Sequence, residues 1–264
     1  MLKGYTLPRT PGGTSSLAPS PPWHYVGECT SVEYDADADA IASFLPPGLD
    51  YASTRCAVYF IEWQSVTDGG EEYLDPVYSQ YKETIVLLSA SYRGVSTAYC
   101  PFIWVDQDVS LMRGLIQGWP KQIGYTHITR AYDLSSPVNP LLGAGGKFGA
   151  TLSAKEQRLI RAQITLNEKT NQFPTPGFAG ATNVRYFPNL QQDKYEQPAV
   201  HQLVRLTSRD TQFSTLWKGE AQLEFYESRY TELMLLRPQS VAAGYRFTFA
   251  LTVDETELLR DFTE

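Results

Sequence analysis

The chain has 264 residues, 42% hydrophobic and 19% charged, with 22 basic and 29 acidic side chains and a formal charge of −7. This fits a globular protein of one large or two small domains and excludes a disordered polyelectrolyte. With no polybasic run, the chain lacks the footprint of a nucleic-acid or anionic-membrane binder.

No stretch has the apolar length of a signal peptide or a membrane span, so the expected location is cytoplasmic. Cys29, Cys56 and Cys100 lie far apart and form neither a disulfide framework nor a zinc pattern.

Residues 1–22 hold five Pro and three Gly. They read as an extended N-terminal arm ahead of a single domain, 23–264. The run DADADAIASFLP predicts a short helix, capped by Asp35 or Asp37, carrying Ile41, Phe44 and Leu45 on one face and stopped by Pro46. Seven segments then read as strands, being rich in β-branched and aromatic residues: 56–66, 83–92, 96–105, 161–168, 200–208, 221–228 and 244–253. In the last, Tyr245, Phe247, Phe249 and Leu251 share one face, and Arg246, Thr248 and Thr252 the other. A second helix is expected over Val109–Gln117. In the closing DETELLRDF, the capping-box spacing of Asp254 and Glu257 predicts a third. Residues 171–180 read as a loop. The fold class is mainly β (α+β), antiparallel, with a few short helices.

Several motifs fail. Gly143, Gly145, Gly146 and Gly149 miss the dinucleotide spacing and read as a flexible turn. His24, His127 and His201 are isolated, so no metal site is expected, and no nucleophile elbow supports a serine triad.

The informative stretch is SLMRGLIQGWPKQIGY, residues 110–125. Gly118-Trp119-Pro120 makes a bend that aims Lys121. Leu115, Ile116, Trp119 and Ile123 lie near it in sequence. A lysine among apolar groups loses solvation of its ammonium form, and the neutral amine can attack a carbonyl to form a Schiff base. Taken alone, the segment also fits a surface lysine with a snorkelling stem.

Gly-Trp-Pro-Lys here resembles the Schiff-base lysine segment of the acetoacetate decarboxylase family, itself a well-known case of an activated lysine. The similarity continues in DADAIASFLPPGLD (37–50), Tyr81-Lys82-Glu83-Thr84, YRGVSTAYCPFIWVD leading to the lysine, VRYFPN (184–189) and WKGEAQLEFY (217–226). It covers roughly 20–262. It implies an acetoacetate decarboxylase-like curved antiparallel sheet or cone, a homo-oligomer, and Lys121 as nucleophile with Glu83 near the substrate. Glu62 falls near a second family glutamate.

Two departures stand out. Gln122 occupies the place of a second lysine, and the family's first-strand arginine falls near Gly27. Gln117, four residues before Lys121, and Tyr245 resemble a side branch that runs aldol condensation and dehydration through the same lysine.

The expected function is therefore a Schiff-base lyase acting on a keto or β-dicarbonyl metabolite, with Lys121, Glu83, Gln117 and Tyr245 as catalytic residues. No metal or organic cofactor is expected. The alternatives are a cyclase or isomerase that forms no stable imine, and a non-catalytic small-molecule binding protein. Lys121→Ala is expected to abolish turnover with little change in Tm.

Overall fold

The structure, a computed structural model, describes residues 1–263. Its strands run β1 (Trp23–Asp35), β2 (Asp50–Thr67), β3 (Gln80–Tyr92), β4 (Val95–Val105), β5 (Lys121–Ile123), β6 (Tyr125–Ile128) and β7 (Lys147–Ala154). They continue with β8 (Gln157–Thr170), β9 (Thr182–Phe187), β10 (Val200–Leu206), β11 (Arg209–Phe213), β12 (Leu216–Phe225), β13 (Ser240–Val253) and β14 (Thr256–Asp261). Two α-helices join them, α1 (Ala38–Phe44) and α2 (Asp108–Gln117). The architecture is mainly β, as expected.

The large sheet has eleven strands in the order β5-β4-β3-β2-β1-β13-β12-β8-β7-β6, with β11 paired to β13. Its two edge strands, β5 and β6, are separated in sequence only by Gly124. The sheet must therefore curl until its edges meet. Gly124 N–H donates to Val105 O at 2.9 Å, and the Thr84 hydroxyl on β3 lies 2.6 Å from that of Thr126 on β6. Pairing is antiparallel except between β4 and β5. Strands β14-β10-β9 form a second, three-stranded sheet.

Alternation along the strands feeds two cores. On β2, Tyr59, Ile61 and Trp63 enter one core, and Val58 and Phe60 the other. On β13, Tyr245, Phe247, Phe249, Leu251 and Val253 all face the first core. Arg246 points the opposite way yet is buried, bonded to Thr30 at 2.8 Å and paired with Glu28.

The cap of α1 is Asp37, whose carboxylate accepts from Ala40 N–H at 3.0 Å. Helix α2 begins one residue earlier than expected. The arm, 1–22, is held by hydrogen bonds around Thr6, Ser16 and the buried Ala18 rather than by a strand.

Two expectations fail. DETELLRDF is not a helix: residues 256–261 form β14 on β10, with Leu259 and Phe262 packing on Leu49, Ala90, Tyr92 and Leu203. The three-residue spacing that suggested a cap is equally available to an extended chain. The glycine cluster is only partly a turn, because Gly149 lies inside β7, paired with Gln163.

Candidate active site

Helix α2 ends on Gly118 in the left-handed region (φ 85°), and the Gly118 N–H caps the Gly114 and Leu115 carbonyls. This is the conformation glycine adopts without a Cβ penalty. Trp119 N–H returns to Gly114 O at 2.9 Å, and Lys121 N–H bonds Trp119 O at 2.8 Å across Pro120. The chain thus reverses, so that β5 runs parallel to β4 and Lys121 lies back across α2.

Gly114 makes that path possible. A Cβ there would stand 2.3 Å from Lys121 Cδ and 2.6 Å from its Cγ.

The Lys121 ammonium ends in the first core, its side chain only 8% exposed. Nζ lies 2.6 Å from Glu83 Oε2 and donates to Ser110 Oγ at 2.9 Å. Glu83 comes from β3, and its other oxygen, Oε1, accepts the Trp63 indole N–H at 3.1 Å. Trp63 lies on β2, opposite Gly27 on β1. A Cβ at Gly27 would sit 2.5 Å from the Trp63 ring, so glycine is what allows the indole to reach Glu83. Lys121 Nζ also stands 5.4 Å from the centroid of the Tyr81 ring.

Lys121, Glu83, Trp63 and Tyr81 line one cavity of about 40 Å³. Its polar side holds Tyr25, Gln117, Glu83 and Lys121. Its apolar side holds Ile85, Ile103, Phe178, Leu206, Leu251 and Val253. The apolar setting of Lys121 is therefore real, but it comes from distant strands. Of the four neighbours named from the sequence, only Trp119 lines the cavity, and Ile123 is 45% exposed.

Three of the four expected residues, Lys121, Glu83 and Gln117, meet here. Tyr245 is on the expected face of β13, but Leu251 and Val253 of the same strand reach the cavity and Tyr245 does not. Its hydroxyl donates to Glu33 Oε2 at 3.0 Å instead. Glu62 points to the other side of the sheet, where Arg130 pairs with it at 2.7 Å. Gln122 is exposed beside Lys121.

Sequence reasoning missed Arg113, Tyr25 and Trp63. Arg113 is 3% exposed, donates to Ser65 Oγ at 2.9 Å, and stacks on Trp23 and Tyr25 with its Nε unpartnered. Burial pushes the Tyr25 phenol up, and the nearby Arg113 charge partly counters this. Burial and the Glu83 charge also push Tyr81 up. Both phenols are therefore neutral hydrogen-bond donors beside the amine. The one signal that could have found Arg113 is its place one turn before Gln117, on the same face of α2.

A buried amine touching a carboxylate can exchange a proton with it, and the adjacent phenol of Tyr25 and amide of Gln117, with the Arg113 charge behind them, can hold an anionic oxygen. Comparison with known proteins places the chain in a family. Residues 6–262 match the family model "Acetoacetate decarboxylase (ADC)". The chain belongs to the acetoacetate decarboxylase family.

Among solved structures, this family member is similar to the enduracididine biosynthesis enzyme MppR complexed with the condensation product of pyruvate and imidazole 4-carboxaldehyde. The identity is 34% and the TM-score 0.93, covering 99% of this chain and 98% of that one. MppR has also been solved complexed with pyruvate, with a TM-score of 0.92, 34% identity and coverage of 99% of both chains. An acetoacetate decarboxylase-like enzyme from Sphingomonas wittichii RW1 shares the fold (TM-score 0.90, 23% identity, 98% of this chain and 100% of that one). No curated protein sequence matches the chain significantly. No helix among the described residues is long and apolar enough to cross a membrane.

Proposed function

We propose that this family member is a lyase that forms an imine between Lys121 and the ketone of a small 2-oxo acid, then carries out aldol condensation and dehydration. The observation that carries the reading is the Lys121–Glu83 contact of 2.6 Å inside a mostly apolar cavity.

Glu83 takes a proton from the Lys121 ammonium, and the amine attacks the carbonyl carbon. The same proton returns to the carbinolamine oxygen, which leaves as water. The resulting iminium is an electron sink. Glu83 then removes an α-proton to give an enamine, whose carbon adds to an aldehyde while the new alkoxide takes that proton back from Glu83. Glu83 removes the second α-proton and returns it to the hydroxyl, which leaves as water, and hydrolysis of the imine completes the turnover.

The substrate carboxylate is read to lie at Tyr25 and Gln117, with Arg113 behind them. That arc favours keeping the carboxylate over expelling it as CO2, because charge-assisted hydrogen bonds stabilise the anion that decarboxylation must destroy. The pyruvate complex of MppR supports the same class of ligand.

The test is borohydride reduction after incubation with pyruvate, acetoacetate and a larger β-dicarbonyl, read by intact mass and peptide mapping. An adduct on Lys121, strongest with pyruvate and absent from the variant Lys121→Met with Glu83→Gln, is expected. No adduct with any of the carbonyls would overturn the proposal.

A further inference from the structure

A cavity of about 40 Å³ has room for a few water molecules but not for a keto acid. A wall must give way for a keto acid to fit beside the amine. Two lining side chains lie outside the strands and helices: Trp119 in the tight bend that aims Lys121, and Phe178 in the longer connection between β8 and β9. The Phe178 ring packs on Tyr59, Trp63 and Phe249 at centroid distances of 5.7, 6.3 and 5.2 Å.

A separate polar cluster grips that loop three residues earlier. Glu33, 7% exposed on β1, accepts the Thr175 N–H at 2.5 Å and the Thr175 hydroxyl at 3.0 Å, both on Oε1. Its Oε2 accepts from Tyr245, with Arg55 at 3.8 Å. The Tyr59 hydroxyl shares its proton between Pro174 O at 3.1 Å and Pro176 O at 2.9 Å. A buried carboxylate is costly unless its oxygens are occupied, and here a loop supplies two of the donors.

We propose that Glu33 is a positioning residue that latches residues 171–180 as a lid over Lys121, with Phe178 as its inner face and Tyr59 and Tyr245 as supports. Substrate reaches the amine when this latch releases. The inference rests on Lys121 being the reactive group of the proposed function, and it gives Tyr245 a role through Glu33 rather than through substrate.

The test is pulsed labelling with acetic anhydride, comparing Lys121 with the exposed Lys155. Glu33→Gln keeps the size of the side chain, weakens the acceptor and turns an amide N–H2 toward Thr175 or Tyr245. It should raise the Lys121:Lys155 labelling ratio about tenfold, the scale of one lost charge-assisted bond. Phe178→Ala should do the same, and the double variant should add little to either. Amide exchange should accelerate in 171–181 while β1, β2 and β13 stay protected, a pattern that general loosening of the sheet would not give. Thr175→Val removes the hydroxyl donor from the loop side, leaving the backbone N–H, and serves with a smaller rise in the ratio if Glu33→Gln does not fold.

An unchanged ratio in the folded variants, or exchange spread along β1 and β13, overturns the latch. Labelling reads access and not imine formation. Gated labelling in a protein that traps no carbonyl would therefore sink the proposed function and leave the lid standing.

Discussion

Replacing Gly114 with alanine separates the placement of Lys121 from the stability of the fold. Alanine in a helix interior is favoured over glycine by about 0.8–1 kcal/mol. Against that, the new methyl group overlaps the lysine stem at Cγ, Cδ and Cε, the last at 2.7 Å. Overpacking of this kind costs about 1–3 kcal/mol. The net change is at most about 2 kcal/mol, or a Tm drop of several degrees for a chain this size. The lysine has no such compensation. To clear the methyl group, its stem must leave the face of α2, losing Glu83 and Ser110 together. A shift of about 1 Å at a reacting group costs about 100-fold. Cyanoborohydride trapping of pyruvate, followed by intact mass against time, should slow at least about 100-fold in Gly114→Ala, while the thermal melt stays cooperative. A variant that traps at the wild-type rate would show that the amine does not need this path, and the reasoning would fail.

Other outcomes follow from burial. Lys121→Ala abolishes the adduct, but it also leaves Glu83 buried with only the Trp63 N–H. Breaking such a pair costs about 3–5 kcal/mol, so Tm falls, contrary to the expectation from sequence alone; adding Glu83→Gln should recover much of it. Cys29, Cys56 and Cys100 are fully buried, and burial pushes each thiol up, Cys56 to about 12. An aromatic disulfide reagent at about pH 8 should find no fast thiol until denaturant is added. Tyr25, Tyr34, Tyr59, Tyr81, Tyr99 and Tyr245 are also raised, chiefly by burial, Tyr99 to about 12. Because the native state holds these protons while the unfolded chain releases them near pH 10, their contribution to stability is complete below that pH and is lost above it. Phenolate absorbance should therefore show a late step coincident with loss of circular dichroism, and these six ionising freely in the folded protein would contradict the burial.

What was legible in the sequence was local. The bend at Gly118-Trp119-Pro120, the cap at Asp37 and the alternation of β13 each depend on residues a few positions apart, and each is found. Glu83 was reached by resemblance, since nothing in Tyr81–Thr84 alone marks it as the partner of a lysine 38 positions later. What was not legible depends on register. Tyr245 and Leu251 share a face, and only the pairing of β13 with β1 decides which end of that face meets Lys121. Glu62 and Trp63 are neighbours, so a shift of one residue exchanges an exposed ion pair for the indole that holds Glu83. β14 was misread because DETELLRDF satisfies a helix cap locally, while its partner β10 lies some 50 residues earlier.

Arg113 provides the sharpest test of the substrate class. The Lys121–Glu83 pair is internally neutral, and Trp63 over Gly27 brings no charge of its own. Arg113 is then the cation that can draw a carboxylate to the Tyr25–Gln117 side. Arg113→Gln keeps a donor toward Ser65 but removes the charge and the stacking on Trp23 and Tyr25, so some stability is lost whatever the substrate. A ratio cancels that loss: trapping of pyruvate over trapping of acetone, which offers the same ketone without the carboxylate. Arg113 acts from behind Tyr25 and Gln117 rather than by contact, so losing its charge should lower this ratio several-fold to about 10-fold, through the concentration dependence of pyruvate trapping and not its limiting rate. An unchanged ratio would mean that Arg113 serves only the packing of α2, and the preference for a 2-oxo acid would have to come from elsewhere in the cavity.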